Sequence, residues 1–377
     1  MDKSRIVGFI EVLIPITAYN IKCEYCYVIQ RHRRSMIIPK LSHTPEEIGH
    51  ALRPDRFNGI MYISLCGAGE TMLTPNLAEI VKELVTRGHI VNITTNGTIS
   101  KAFERLISIV PEKYHCRINI SFSYHYLELK RTNLSEVFWK NIKKVKDTGM
   151  SFVLQLNLYD GYEKYLEEIK RESIKNVGAY PQLAATRNEI DLEHKHTLMT
   201  SKTYLEYKEL GNQFKSPLFE FTMKNFMKKQ TEFCYAGKWS FVLNLGSGII
   251  KPCYQSIFHI NIFQNPDKQI KFSPVGKNCV APFCMNSSHF ISLGNIPSQK
   301  CPSYADLRNR KCREGKEWYN PFFKKMLSRK FNDGNPLKFS IKEQLIIWLK
   351  GFINSLAFKT SELLPKSLII KIKSKYK

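Results

Sequence analysis

Apolar runs of strand length alternate with helical periodicity through the first half of the chain. The strand-like runs lie near Ile10–Thr17, Ile60–Cys66, Ile90–Asn96, Arg117–His125 and Phe152–Tyr159. Between them, apolar positions at helical spacing predict helices over Pro45–Leu52, Asn76–Thr86, Lys101–Ile109, Leu134–Lys146 and Tyr162–Lys170. Thr44-Pro45 with Glu47, and Thr74-Pro75, are helix-start signals. Alternation at this spacing predicts parallel strands joined by right-handed crossovers.

The same strands carry a second pattern. Asn119, Ser121, Ser123 and His125 share one face of their strand, opposite Ile120, Phe122 and Tyr124. Asn92, Thr94 and Asn96 share a face, as do Ser64 and Cys66, and Gln155, Asn157 and Tyr159 lie opposite Leu154, Leu156 and Leu158. Parallel strands buried on both sides normally read as continuous apolar runs, and an ordinary barrel fills its interior with branched apolar side chains. An antiparallel sheet with one wet side would also alternate, but it would not need a helix between every pair of strands. The pattern therefore predicts an α/β fold: a barrel or open half-barrel whose lumen is a site, with its active groups at the carboxyl edge of the strands.

After about Ser216 the pattern changes. Phe241–Ile250 reads as a hairpin around Gly246 and Gly248, and six of the ten cysteines fall between Cys234 and Cys312. This predicts three parts: a partial barrel over 1–215, a small cysteine-rich module over 216–320 and a basic helical tail over 321–377. The tail opens with a capping box, Ser340 and Glu343. Its apolar positions Leu345, Trp348, Leu349, Phe352 and Leu356 precede Lys366, Lys371, Lys373, Lys375 and Lys377. Such a face suits either attachment to an anionic membrane surface or docking on the open side of the barrel.

Length and composition agree with this division. A chain of 377 residues, 43% of them hydrophobic, can bury one large core and a smaller appendage. The formal charge of +24 is spread along the chain rather than gathered in one arm. It is compatible with an anionic partner or with simple solvation, and no nucleic-acid recognition motif accompanies it. Ile6–Ile16 is interrupted by Glu11 and followed by no small-residue cleavage site, so a secretion signal is not expected. The expected setting is cytoplasmic and reducing, peripheral at a membrane if the tail attaches, with the cysteines as thiols or metal ligands.

The candidate chemistry begins at Cys23-Glu-Tyr-Cys26. Alone, a C-x2-C suits a zinc knuckle, a redox dithiol or an iron–sulfur site. Here it ends the loop after the first strand, within Tyr19-Asn-Ile-Lys-Cys-Glu-Tyr-Cys-Tyr27. That segment resembles the cofactor loop of the radical S-adenosylmethionine (radical SAM) superfamily, C-x3-C-x2-C, with Tyr19 in place of the first cysteine. Cys66-Gly-Ala-Gly-Glu70 resembles the family's glycine–glutamate motif, and Thr94-Thr-Asn-Gly97 its Thr-Asn-Gly. Ser121, Ser123 and His125 lie where relatives contact SAM or substrate. The resemblance covers roughly residues 8–215 and implies a partial (β/α)6-type barrel.

It further implies a [4Fe–4S] cluster held by thiolates, here Cys23 and Cys26, whose electron cleaves bound SAM to a deoxyadenosyl radical. Tyr25, Gly67, Gly69, Glu70, Asn96, Ser121 and Ser123 would bind SAM, the glycines by admitting close approach and Glu70 by accepting from its ammonium group. Cys66 is open as a replacement third ligand or as a small buried residue. Cys234-Tyr-Ala-Gly237 and Gly248-Ile-Ile-Lys-Pro-Cys253 resemble the auxiliary region called SPASM or twitch. That implies an auxiliary iron–sulfur cluster on Cys234, Cys253, Cys279 and Cys284; a structural zinc with the same ligands is the other reading.

Cys116 reads as buried and inert. Cys301 and Cys312 stay open between ligands and free thiols. Arg31-His-Arg-Arg34 reads as solvated surface or as an attractor of anionic substrate. Ser303-Tyr-Ala-Asp-Leu-Arg-Asn-Arg310 suggests no chemistry by itself. The expected function is hydrogen abstraction from a peptide or other small substrate, served by a reductant protein. The alternative is a catalytically impaired relative that binds SAM or a partner.

Overall fold

The structure, a computed structural model, describes residues 5–190, 197–331, 333 and 337–363, with the side chains of 361–363 left aside. Lys366, Lys371, Lys373, Lys375 and Lys377 lie outside the described residues.

Among the described residues, nine strands form one sheet: β1 (Gly8–Ile14), β2 (Met61–Gly67), β3 (Ile90–Thr95), β4 (Ile118–Ser123), β5 (Ser151–Leu158), β6 (Gln182–Ala185), β7 (Ser240–Asn244), β8 (Ile249–Lys251) and β9 (Ile260–Asn261). Their order is β6-β5-β4-β3-β2-β1-β7-β8-β9. Pairs from β6 through to β7 are parallel, whereas β7–β8 and β8–β9 are antiparallel. β6 and β9 are the two edges, so the sheet does not close and the predicted open barrel is found. The hairpin of the cysteine-rich region continues this sheet through β7, which pairs with β1.

Helices at Pro45–Ala51, Leu77–Thr86, Ser100–Ile109, Ser135–Asp147 and Leu166–Val177 fill the crossovers. The Pro45 helix has the expected capping box, Thr44 with Glu47. The Leu77 helix packs Leu77, Ile80, Val81, Leu84 and Val85 into the core, each large side chain contributing roughly 1.5–3 kcal/mol relative to exposure. Thr74-Pro75 does not open that helix. Thr74 instead ends a 3-10 turn at Thr71–Leu73, and Asn76 caps the helix in the left-handed region at φ 57°, a conformation Asn tolerates better than most residues. The helix expected over Tyr162–Lys170 divides into a 3-10 turn, Asp160–Tyr165, and a helix that runs on to Val177 and stops at left-handed Gly178.

The polar faces meet in register. Glu11 pairs with Ser64, Ser64 with Asn92, Asn92 with Asn119, and Asn119 with Ser151. Asn119 Nδ2 and Ser121 Oγ both donate to Asn92 Oδ1 at 2.7 Å, and Asn92 Nδ2 donates to Ser64 Oγ at 3.2 Å. This row crosses the lumen as a hydrogen-bonded belt. Away from it the lumen is plugged: Phe9 and Tyr62 pack against His289, Phe290 and Tyr304, and the Tyr62 and Tyr304 hydroxyls share a 2.8 Å hydrogen bond. The plug brings Tyr304, from the otherwise mute run Ser303–Arg310, against the lumen face of β2.

The tail helix, Ile341–Leu363, has the expected Ser340–Glu343 capping box. It docks through a different face from the one expected to close the open side of the barrel. Ile347, Gly351 and Asn354 contact the cysteine-rich region, with Asn354 bonded to Gln255 and Ile257. Leu345, Trp348, Leu349, Phe352 and Leu356 point outward. The small Gly351 permits close approach on one face, while the bulky residues occupy the other. No described helix is long and apolar enough to cross a membrane.

Candidate functional site

The loop after β1 is folded over the carboxyl edge of β2–β5. Cys26 N–H bonds back to Cys23 O at 3.0 Å, closing a turn, and Cys26 then caps the helical turn Tyr27–Gln30. Lys22 N–H donates to Glu128 Oε2 at 2.7 Å, and Arg131 holds that carboxylate by two 2.9 Å bonds. Asn20 joins the loop to the β3 motif: its Oδ1 accepts from Asn96 Nδ2 at 2.8 Å and its Nδ2 donates to Thr98 Oγ1 at 2.7 Å.

Gly67 and Gly69 are required by the chain itself. A Cβ on Gly69 would stand 2.4 Å from Ala18 O, and one on Gly67 2.4 Å from Ile16 Cγ2. Gly69 N–H also donates to Ile16 O. Close backbone approach is the reason expected, but the neighbour is the end of the first strand. Glu70 is buried, and both its oxygens are taken. Oε1 accepts from Thr95 Oγ1 at 2.6 Å and Met72 N–H at 2.9 Å, and Oε2 from Asn96 N–H at 2.7 Å. Burial raises its pKa above the ordinary carboxylate value, with those hydrogen bonds opposing. In this geometry Glu70 braces the β2 and β3 ends against each other, which differs from the expected open acceptor for an ammonium group.

These elements enclose a cavity of about 230 Å³ lined by Tyr19, Cys23, Tyr25, Cys26, Gly67, Gly69, Glu70, Thr94, Asn96, Ser123 and His125, among others. Every expected SAM-side residue borders it except Ser121, whose hydroxyl is spent in the polar belt on Asn92. Tyr25 is buried, its hydroxyl 2.7 Å from His125 Nδ1 and 3.0 Å from Tyr162 OH. Burial depresses the His125 pKa to about 4, so its imidazole is neutral near pH 7. Thr94, Asn157, Arg187 and Glu189 also line the cavity. The strand parity already placed Thr94 and Asn157, but Arg187 and Glu189 lie beyond β6, in irregular chain without a periodic signal.

Tyr19 stands at the cavity wall where the family pattern has cysteine. Its hydroxyl donates to Ala68 O and lies 3.4 Å from Cys26 Sγ. Burial, and then the neighbouring Cys26, push its pKa far above the ordinary phenol value, so the phenol keeps its proton. The Cys23 thiol is also raised, by burial first and Cys26 next. Cys66 Sγ does not border the cavity; it donates to Glu11 Oε1 at 3.2 Å, and the residue is partly exposed rather than buried. Arg31 pairs with Glu189 and Arg34 donates to Tyr19 O at 3.2 Å, so neither is simply solvated.

In the cysteine-rich region, Cys234, Cys253, Cys279 and Cys284 are near enough to influence one another. Burial raises the Cys234 pKa first, and the other three thiols add to it. Cys253 and Cys284 are each raised in the same way, with Cys279 contributing to both. Among the described residues no group of three or more such side chains is close enough to hold one metal ion.

The remaining thiols have local acceptors. Cys301 donates to Ile291 O at 3.5 Å and Cys312 to Val177 O at 3.1 Å. Cys116, expected to be buried, is half-exposed at the end of the 3-10 turn Glu112–Arg117, because β4 begins two residues later, at Ile118.

Comparison with known proteins matches residues 20–171 to the family model of the Radical SAM superfamily. That part of the chain is a radical SAM domain. No curated protein sequence matches the chain. Among solved structures it is similar to Streptococcus suis SuiB bound to S-adenosylmethionine, at 15% identity and a TM-score of 0.48, covering 69% of this chain and 64% of SuiB. It thus spans just under two thirds of SuiB. It is also similar to anSMEcpe with bound AdoMet, at 13% identity and a TM-score of 0.45 over 98% of this chain and 100% of that one. BtrN in complex with AdoMet and 2-DOIA is a third similar structure, at 15% identity, 75% and 93% coverage, and a TM-score of 0.36.

Proposed function

We propose that this protein binds S-adenosylmethionine in the cavity at the carboxyl edge of β2–β5, beside an iron–sulfur cluster held by only two thiolates. The observation that carries this reading is the convergence of Cys23, Cys26 and Tyr25 with Gly67, Gly69, Asn96 and Ser123 on one cavity. When bound, a complete radical cluster supplies the electron that cleaves SAM. The residues present fit SAM, but they do not complete that cluster. Tyr19 offers a protonated phenol already bonded to Ala68, and ligation through its oxygen would have to break that bond and release the proton. SAM binding is therefore retained while cleavage is weak.

An auxiliary iron–sulfur cluster belongs on Cys234, Cys253, Cys279 and Cys284. The substrate, a peptide or a small molecule, enters through a second cavity of about 290 Å³ that shares Asn157, Ala185 and Arg187 with the first. A reductant protein would feed the clusters if cleavage occurs. The alternative reading, a SAM-binding relative without radical chemistry, is favoured by the Tyr19–Ala68 bond.

Anaerobically reconstituted protein tests this. Equilibrium dialysis should show bound SAM, and a strong reductant should release little deoxyadenosine. Failure to bind SAM would overturn the proposal; abundant deoxyadenosine would overturn the incomplete-cluster part.

A further inference from the structure

The segment that plugs the lumen carries a buried guanidinium whose hydrogen bonding is incomplete. Arg308 closes the short helix Tyr304–Arg308, which Ser303 caps together with Asp306. Its backbone carbonyl accepts from Gln182 Nε2 at 3.1 Å, tying it to β6. The side chain sits over the Tyr304 ring with Cζ 3.7 Å from the ring centre, and Nη2 donates to Ser288 O at 2.8 Å. Arg308 is only 5% exposed, yet its buried Nη1 donates to nothing.

Arg56 shows what a structural arginine looks like in this fold. Equally buried, it donates to the carbonyls of Ala51, Ile262, Asn265 and Lys268 and so pins the cysteine-rich region to the barrel. Buried charges are as a rule paired or fully hydrogen-bonded; Arg308 leaves Nη1 unbonded, and its charge is met at longer range by Glu11. Glu11, the buried carboxylate of the lumen, attracts the Arg308 charge but makes no hydrogen bond to it. Its oxygens are taken by the Cys66 thiol at 3.2 Å and Asn286 Nδ2 at 3.0 Å.

Arg308 lines the second cavity, whose wall includes Arg187, Gln155, Asn157 and His289 and contains no carboxylate side chain. Arg187 is shared with the SAM-side cavity and reaches Glu189 at 3.7 Å. The fixed charge facing this cavity is therefore positive, and a planar guanidinium with an unused N–H is suited to a carboxylate.

We propose that Arg308 is an anion-recognition residue that receives a carboxylate of the substrate in the lumen cavity. That the bound molecule is a substrate rests on the function proposed above; the carboxylate site itself does not. The carboxylate can come from a glutamate-type side chain or from a chain terminus, and one experiment separates the two.

Full-length protein is titrated calorimetrically with Ac-Gly-Glu-Gly-NH2, with its neutral counterpart Ac-Gly-Gln-Gly-NH2, and with Ac-Gly-Gly-Gly-OH. Wild type should bind one of the carboxylate peptides at least about ten-fold more tightly than the glutamine peptide, as expected for a buried charge pair. The tighter of the two names the source. Arg308→Gln should erase the preference, and Arg308→Lys should retain part of it.

Equal binding of the charged and neutral peptides, no carboxylate binding up to about 10 mM, or an undiminished preference in Arg308→Gln would each overturn the proposal. If Arg308→Gln does not fold, phenylglyoxal labelling of wild-type Arg308 decides: protection by a carboxylate peptide but not by the glutamine peptide supports the site, and equal labelling removes it. SAM binding is measured on the same samples. SAM binding without carboxylate binding sinks the anion site alone, whereas carboxylate binding without SAM binding sinks the proposed function alone.

Discussion

Replacing Glu70 with glutamine exchanges one acceptor oxygen for an amide donor at the joint between β2 and β3. The glutamine oxygen can keep the bonds from Met72 N–H and Thr95 Oγ1, but its NH2 then confronts Asn96 N–H, which now bonds to Oε2 at 2.7 Å. The hydrogen bond from Asn96 N–H to the carboxylate is lost and that buried N–H is left without an acceptor, a single loss of roughly 1.5–3 kcal/mol. The raised pKa of Glu70 shows that burial already works against its ionised form, and the neutral amide recovers part of the loss. The net destabilisation should be about 1–2 kcal/mol, shifting the urea midpoint at pH 7 downward by roughly 0.5 M. Because Asn96 Nδ2 holds the cofactor loop through Asn20, SAM affinity should fall with it. Equilibrium unfolding and SAM dialysis on the same preparation check both. An unchanged urea midpoint with strongly weakened SAM binding would refute the bracing argument and return Glu70 to the role of a direct ligand acceptor.

Tyr19→Cys should raise bound iron and the deoxyadenosine yield, whereas Cys66→Ala should alter neither, because Cys66 faces Glu11; iron analysis and chromatography of the products decide. Protein with Cys23 and Cys26 both changed to Ala should still purify anaerobically with iron and sulfide on the auxiliary cysteines, and stoichiometric zinc without sulfide would contradict that assignment. Burial raises the Glu11 pKa in the fold, while bonds from Asn286 and Cys66 oppose it. The folded state then binds more protons than the unfolded one, so this group's contribution is fully present below the ordinary value of 4.5 and is lost as pH rises through the folded pKa. Glu11→Gln should accordingly flatten the fall in urea midpoint above pH 4.5, and an unchanged slope would show that other groups cause it. Removing residues 340–377 should abolish flotation with anionic liposomes if the outward face of the tail helix attaches there, and no flotation by the full-length chain would leave that face without this use.

Much of the architecture was legible in residue order because it follows from local periodicity. Alternation of period two and period 3.6 marks which segments are strands and which are helices, and strand parity alone placed Ser64, Asn92, Asn119 and Ser121 on the inner face. The C-x2-C loop, the glycine–glutamate segment and Thr94–Gly97 were visible for the same reason: each is a short contiguous motif at a strand end. Other features depended on pairings between distant parts of the chain, which no local pattern encodes. β7 joins β1 across more than two hundred residues, so the cysteine-rich region extends the barrel sheet. Tertiary packing turned Glu70 toward Thr95 and Asn96, spent Ser121 on Asn92 and tied Cys66 to Glu11. It also brought Tyr304 against Tyr62 and buried Arg308 with one N–H left without a hydrogen-bond partner. Sequence by itself determined which chemical groups sit at the strand ends. Only the tertiary structure decided which of them are already satisfied by the protein and which remain available to a ligand, because hydrogen bonds and burial are shared among residues far apart in the chain.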